Sequence, residues 1–226
     1  QLCREACGGM GFLSSNQIGG LIKDMNVDVT FEGDNTVLYT QVVKGLLAER
    51  SQMNTKQMVD EVSLSSPLVS NVNSIQGSLN RLMSWKEAML MAQVVKLGPK
   101  CFDANLDLVL QLAAAYIEKR ILEIFQARAA NAPSIPIRNA LLSLVHLYGL
   151  GIIEKDMGIY MSHGAMPATP VMQEQLRVLI NEKCVEIGNG HGKGLLKLCE
   201  GFGIPEQFIT APIAHDWTKM KTASKL

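Results

Sequence analysis

The sequence is short of most features that would assign a chain to a class by composition alone. Its 226 residues carry 21 basic and 21 acidic side chains, a balance that argues against a nucleic-acid partner held by bulk charge. No apolar run approaches the roughly 18 residues that a membrane span requires, so no span is predicted. The 47% hydrophobic and 19% charged residues are typical of a soluble globular protein.

Cysteine and histidine form no recognisable cluster either. The five cysteines are odd in number and scattered, and Cys3 and Cys7 lack the spacing of a CxxC pair. We therefore interpret all five as reduced thiols of an intracellular protein. The four histidines show no metal-ligand spacing, and no metal site is predicted.

Helix signals, in contrast, recur along the chain, and period-two alternation is rare. The pattern predicts an all-α fold, an antiparallel helical bundle of long helices. The stretch 12–31 is predicted to be irregular or briefly extended, because Gly19 and Gly20 interrupt it. Helices are predicted over 1–7, from Asp34–Thr36 to Arg50, and over 75–97, 103–130, 136–148, 170–187 and 193–201, with a turn at 203–208 into a short last helix.

Two of these helices supply most of the predicted core. The helix ending at Arg50 is expected to turn Val37, Val42, Leu46 and Leu47 inward. The helix over 103–130 carries one apolar stripe, made of Leu106, Val109, Leu110, Ala113, Ile117, Ile121 and Ile124.

Domain limits follow from composition. Residues 51–74 are rich in Ser, Asn and Gln, which predicts a linker or a long surface loop. The predicted division is a first helical domain over 1–50, this linker, a second helical domain over 75–221 and a tail over 222–226.

Two glycine-rich stretches raise the question of a ligand. In CREACGGMGF, residues 3–12, the glycines either let a ligand approach the backbone or end a helix and begin a tight turn, and both alternatives stay open. GNGHGKG at 188–194 fails the P-loop pattern, because Ile187 stands where a glycine is needed and Gly194 where Ser or Thr is needed. We interpret it as a turn between helices.

A single carboxylate stands out in VTFEGDNTVLYTQVV, residues 29–43. Glu32 is either a solvated loop acid or a catalytic group. Phe31 favours a raised carboxyl pKa by shielding it from water, and Gly33 leaves room for close approach. The helix that begins just after it acts in the opposite direction, because a helix N-terminus lowers the pKa of a carboxylate.

The chain ends in Ser224, Lys225 and Leu226. A C-terminal S-K-L is a peroxisomal address that an import receptor reads. The polar, basic tail before it suits an exposed receptor-binding segment. The ending therefore predicts localisation in the peroxisome or glyoxysome, with the import receptor as a partner.

These stretches together resemble a known family. CREACGGMGF and the later DVTFEGDNTVL resemble the C-terminal portion of peroxisomal acyl-CoA oxidases, which belong to the acyl-CoA dehydrogenase superfamily. GFGIPEQFITAPIAHDW resembles the closing segment of the same enzymes, and the S-K-L ending agrees with it.

The resemblance implies an FAD-dependent oxidation of acyl-CoA by molecular oxygen, giving trans-2-enoyl-CoA and hydrogen peroxide in fatty-acid β-oxidation. It makes Glu32 the base that removes the α-proton, with the Glu32 N–H and Gly33 beside the substrate. It also implies a homodimer. The candidate FAD contacts that it implies are Arg4, Gly8, Gly9, Gly11, Asp34 and Asn35, although Arg4 equally suits an ion pair between neighbouring helices.

The enzymes that the chain resembles are longer and carry N-terminal helical and middle β domains. We therefore expect this chain to be the C-terminal part of a longer product and to be inactive alone. Two alternatives stay open: an acyl-CoA dehydrogenase that passes electrons to a carrier flavoprotein, and a non-catalytic helical fragment that serves dimerisation.

Overall fold

The structure is a computed structural model that describes residues 1–31, 33–50, 62–189 and 194–215. Every regular element in these ranges is helical, which confirms the predicted all-α class. The chain forms two units: one contains Gln1–Leu38 and the chain from Leu196 onward, and the other contains Tyr39–Leu195. The domain limits predicted at residues 50, 74 and 221 stay predictions.

The first unit is built from short elements. Helix α1 covers Leu2–Ala6, helix α2 covers Ile18–Met25, and the long helix α3, Asn35–Arg50, begins in this unit. The prediction that 12–31 is irregular is wrong, because glycine lowers helix propensity by only about 1 kcal/mol per residue. In α2, Ile18 and Ile22 lie four residues apart and share a half-buried face, which offsets that cost.

The second unit is an antiparallel helical bundle, as predicted. Its long helices are α4 (Leu79–Leu97), α6 (Leu106–Ala130), α7 (Ile135–Lys155) and α9 (Pro170–Asn189), with the short α5 (Cys101–Ala104) and α8 (Met157–Ser162) between them. The last described helix, α10, covers Gly194–Glu200, and its residues from Leu196 onward belong to the first unit.

Side-chain pairs fix the direction of neighbouring helices. Asn80, at the start of α4, donates to Gln126 at the end of α6 over 2.9 Å. Ser143 in the first half of α7 lies 3.4 Å from Glu186 near the end of α9, while Arg177 near the start of α9 reaches Glu154 at the end of α7. Both helix pairs are therefore antiparallel.

The core confirms part of the predicted burial and corrects the rest. In α6, Val109 and Ala113 are buried as predicted, but Ile121 and Ile124 are exposed. Because α6 packs against both α4 and α7, its buried residues spread over two faces instead of one stripe. They include Leu112 and Leu122, which the predicted stripe omits.

Helix α3 shows a similar shift. Leu46 is buried as predicted, and Val42 and Leu47 are partly buried against the core. Val37 is exposed, and Val43 is fully buried instead.

Helix α7 runs seven residues further than the predicted end at 148. Gly149 weakens the helix signal, but a Cβ there would lie 2.6 Å from a methyl carbon of Leu79, so any other residue would force the Leu79 side chain to shift. By length and composition alone α7 could cross a membrane, which corrects the statement that no apolar run approaches that length. Core helices of globular proteins meet the same criterion, so the match is weak support for a span.

A network of buried charges also ties the bundle together. The ammonium of Lys86 pairs with both Glu118 and Asp156, and Glu118 pairs in addition with Lys155. Glu87 lies 2.5 Å from the Lys119 ammonium and 3.3 Å from the Arg50 guanidinium. These pairs connect α3, α4, α6, α7 and the residue after α7.

Candidate active site

The glycine segment follows directly after α1. Gly8 begins a 3₁₀ turn over Gly8–Phe12 and has a left-handed φ of +55°. An added Cβ at Gly8 or Gly9 would meet nothing within 4 Å. The backbone at both residues is therefore open to an approaching group, and the left-handed φ at Gly8 favours glycine in any case.

Gly11 differs from these two glycines. It is buried, and a Cβ there would lie 2.2 Å from the backbone carbonyl oxygen of Arg4. Its missing side chain allows the 3₁₀ turn to close against α1. The packing within this unit thus accounts for Gly11, while Gly8 and Gly9 leave a surface on which a ligand could rest.

Arg4 lies in α1, just before this turn. Within the described residues, its side chain forms hydrogen bonds and ion pairs only with residues close to it in sequence. Its Nε donates to Gln1 Oε1 over 3.4 Å, and its Nη2 lies 3.9 Å from Glu5 Oε1. Both partners are exposed and close in sequence, so the pairs are weak. No ion pair between Arg4 and a neighbouring helix occurs among the described residues.

Asn16 is a structural residue that the sequence analysis missed. Its buried amide donates to the Met10 carbonyl over 2.8 Å and accepts from the Ile213 N–H over 2.8 Å. The next residue, Gln17, donates to the Thr210 hydroxyl over 3.2 Å. The glycine turn is thereby joined to the segment around 210–213, and no local sequence signal indicates this contact between residues far apart in the chain.

The predicted catalytic Glu32 lies outside the described residues, and its neighbour Gly33 begins the next described range. Gly33 has φ +121°, a conformation reserved for glycine, and an added Cβ would meet nothing within 4 Å. Asp34 then caps α3, because its Oδ1 accepts the Thr36 N–H over 2.8 Å. Asn35 is the first helical residue, so the helix start predicted at Asp34–Thr36 is confirmed.

Large apolar side chains in this part of the chain are exposed. Phe12 exposes 81% of its surface and Phe31, expected to shield Glu32, exposes 74%. Leu2, Leu13, Leu21, Met25, Val27 and Val29 are exposed as well. So many exposed large apolar side chains in one short stretch of chain favour a ligand or protein contact there.

These features fit a flat, charged cofactor such as FAD. Open backbone at Gly8, Gly9 and Gly33 permits close approach, exposed apolar side chains offer contact to a ring system, and the Arg4 guanidinium suits a phosphate. Among the described residues, no group of three or more His, Cys, Asp or Glu is arranged to hold a metal ion.

Comparison with known families resolves the class. The family model for the acyl-CoA oxidase C-alpha1 domain matches residues 1–47, and the acyl-CoA oxidase family model matches residues 92–216. This chain belongs to the acyl-CoA oxidase family. The first match contains the glycine segment, Glu32 and the start of α3, and the family confirms the resemblance inferred from the sequence motifs.

Curated acyl-CoA oxidases agree over nearly the whole chain. An acyl-coenzyme A oxidase-like protein of Mus musculus is 26% identical over 94% of this chain and 36% of its own length. Acyl-coenzyme A oxidase 2, peroxisomal, of Arabidopsis thaliana is 28% identical over 94% of this chain and 34% of its own length. The chain thus spans about a third of the length of the curated relatives it matches.

A solved structure agrees in fold. The crystal structure of acyl-CoA oxidase 3 from Yarrowia lipolytica matches with a TM-score of 0.74 over 94% of this chain and 32% of the other chain, at 22% identity. This similarity supports the helical fold of the acyl-CoA oxidase family.

Proposed function

We propose that this chain supplies the helical, base-bearing part of an FAD-dependent acyl-CoA oxidase. The reaction converts an acyl-CoA and molecular oxygen to trans-2-enoyl-CoA and hydrogen peroxide in peroxisomal fatty-acid β-oxidation. The observation that carries the proposal is the turn after Glu32. There Gly33 takes a conformation reserved for glycine and Asp34 caps α3, all within the region matched by the C-alpha1 family model.

Glu32 is the base in this proposal. Its carboxylate removes the α-proton of the acyl thioester, a weak acid, so the base must be held in place and the enolate must be stabilised as it forms. The Glu32 N–H donates to the thioester oxygen, and Gly33 leaves space for the substrate beside it. The chemistry that bound FAD would supply is acceptance of the β-hydrogen as hydride and transfer of the electrons to oxygen.

The residues that would hold FAD are those of the open surface. Gly8 and Gly9 give backbone access, and Arg4 offers a guanidinium to a phosphate. Gly11 supports this surface through its packing against α1. Asp34 and Asn35, at the start of α3, complete the proposed set.

The exposed apolar side chains support a homodimer. Phe12 and Phe31 are too exposed to be part of a core within the described residues, and covering them in a dimer or against substrate removes that surface from water.

Targeting to the peroxisome by Ser224, Lys225 and Leu226, which lie outside the described residues, agrees with relatives whose names include "peroxisomal".

The test distinguishes an oxidase from a dehydrogenase. The complete gene product is loaded with FAD and mixed with an acyl-CoA in the presence of oxygen, and hydrogen peroxide and trans-2-enoyl-CoA are both measured. We expect the two products in equal amounts. Enoyl-CoA formed only when an artificial electron acceptor is added would indicate a dehydrogenase, and neither product under either condition would indicate a non-catalytic helical protein.

A further inference from the structure

A surface groove of about 500 Å³ lies on the bundle unit, and none of its lining residues is among those assigned to the reaction. One wall is α9 and the other is the short 3₁₀ turn Val72–Ser74. The apolar lining comes from Val72, Val171, Val178 and Leu179, and the polar lining comes from Asn73, Glu174, Gln175 and Glu182.

Both walls are anchored, so the groove is preformed. The Asn71 side chain accepts the Ser74 N–H over 3.1 Å, and the Ser74 hydroxyl donates to the Asn71 carbonyl over 2.7 Å, which fixes the 3₁₀ turn. On the other side, Met172 and Leu176 are buried in the core and hold α9 in place. A preformed groove reduces the cost of ordering on binding.

The apolar wall remains uncovered within the described residues. Val171 exposes 60% of its surface and Val178, two helical turns away, exposes 51%. Aliphatic side chains at this spacing form a stripe along one face of a helix, which is the pattern that receives a second helix.

The groove is lined by acidic side chains, and no basic side chain among the described residues pairs with them. Glu174 and Glu182 make no ion pair there, and no basic residue lines the groove. The two nearest cations on α9 are engaged elsewhere: Arg177 pairs with Glu154 over 3.2 Å, and Lys183 pairs with Glu186 over 2.6 Å.

These charges argue against a second copy of the chain as the occupant. If two α9 helices paired antiparallel about Val178, each Glu174 would oppose a Glu182. If they paired in parallel and in register, each Glu174 would oppose a Glu174. Like charges placed opposite each other across an interface oppose association.

We propose that this groove docks a basic amphipathic helix from another polypeptide. Its apolar side chains cover Val171 and Val178, and two Lys or Arg side chains reach Glu174 and Glu182. These two glutamates lie about 12 Å apart along the helix axis, so the two cations of the partner are also about two turns apart. The proposal uses none of the residues that the proposed oxidase reaction uses.

The experiment uses a labelled synthetic helix of about 16 residues, with a leucine stripe and two lysines two turns apart. A second peptide carries glutamate in place of both lysines. Binding of each peptide is measured by fluorescence anisotropy with the wild-type protein and with the Glu174→Lys/Glu182→Lys variant. The matched control, Glu49→Lys/Glu200→Lys, makes the same change in net charge at exposed glutamates that do not line the groove.

We expect the wild-type protein to bind the basic peptide at least about tenfold more tightly than the acidic one, and less tightly as salt rises. The groove variant should reverse the preference, and the control should behave as the wild type. Replacing both Val171 and Val178 with Ser should weaken binding while the circular dichroism spectrum stays unchanged.

Three results would overturn the proposal. The wild-type protein could fail to bind the basic peptide, it could bind the basic and acidic peptides equally, or the groove variant could keep the preference of the wild type. Self-association of the wild-type protein that the groove variant abolishes, measured by sedimentation, would assign the groove to a second copy and also contradict the proposal.

Discussion

The two units of this protein differ in where they keep their apolar side chains. Among the described residues, every buried hydrophobic side chain belongs to the bundle unit, and they form one core. The described part of the first unit buries only Gly11 and Asn16 and exposes Phe12 and Phe31. The bundle therefore carries the stability, while the unit that contains the glycine segment and Glu32 keeps its surface open for contact.

The largest effect should come from breaking the buried charge network of the bundle. Lys86→Met leaves Glu118 and Asp156 without their shared cation, and removing one partner of a buried pair costs about 3–5 kcal/mol. The free energy of unfolding, measured in urea, should fall by that amount.

Lys155→Met is the matched control, because Lys155 pairs with the same Glu118 but is mostly exposed. Its loss should cost about 1 kcal/mol or less. Equal losses for the two variants would show that burial is not what makes Lys86 important.

A truncation in each unit tests the difference in burial directly. Leu112 is fully buried, so Leu112→Ala should lower the free energy of unfolding by about 2–5 kcal/mol through lost contacts and a cavity. Phe12→Ala removes a larger but exposed side chain and should change it by about 0.5 kcal/mol or less. A large loss for Phe12→Ala would mean that the first unit has a core of its own.

The glycine segment allows a sharper test inside the first unit. Gly11→Ala places a Cβ against the Arg4 carbonyl oxygen and should destabilise this turn by about 1–3 kcal/mol. Hydrogen exchange should then speed up at the Leu13 amide, which donates to the Met10 carbonyl of this turn.

Gly9→Ala is the control for this prediction, since an added Cβ at Gly9 meets nothing within 4 Å. Exchange in that variant should match the wild type. If both alanine variants behaved alike, Gly11 would not hold the turn against α1.

The smallest effect concerns pH and the bundle. Burial lowers the pKa of His146 below its usual value of 6.5, the Lys183 charge lowers it further, and Glu186 acts against both. Gln76 faces the same ring, 2.8 Å from its Nδ1. Because the unfolded chain binds this proton more readily, the bundle should lose stability as pH falls through about 6.5 toward the lower folded pKa.

His146→Gln removes this titration. Unfolding in urea should show that the stability of the variant relative to the wild type rises between about pH 7 and about pH 5.5. A difference that stays constant over this range would show that His146 does not contribute to the acid sensitivity.

Local signals were enough to predict several helices and their ends. The start of α3 is set by the Asp34 side chain, which accepts a hydrogen bond from the Thr36 N–H two residues later. Helix α4 ends before Gly98, whose φ of +66° favours glycine. Such features depend on neighbours in the chain and can therefore be inferred from it.

Features that depend on distant residues could not be predicted. Gly149 weakens the sequence pattern that predicts helix α7. In the structure it leaves space for the Leu79 side chain of α4, and the sequence of α7 alone does not indicate this contact. The pairing of Lys86 with Glu118 and Asp156, and of Asn16 with Ile213, likewise joins residues far apart in the chain. Gly8 follows the end of α1 and begins a tight turn, which fits the helix-end alternative, while the approach of a ligand to Gly8 and Gly9 stays a prediction.

The most direct test of this division between a stable bundle and a reactive segment is one variant measured in two ways. In the complete FAD-loaded gene product, Glu32→Gln should lower kcat for hydrogen peroxide formation from acyl-CoA by about 10²–10⁴-fold, because the variant lacks the proposed general base. Its free energy of unfolding should stay within about 0.5 kcal/mol of the wild type. Full activity in Glu32→Gln would contradict the account, and so would a loss of activity that follows a matching loss of stability.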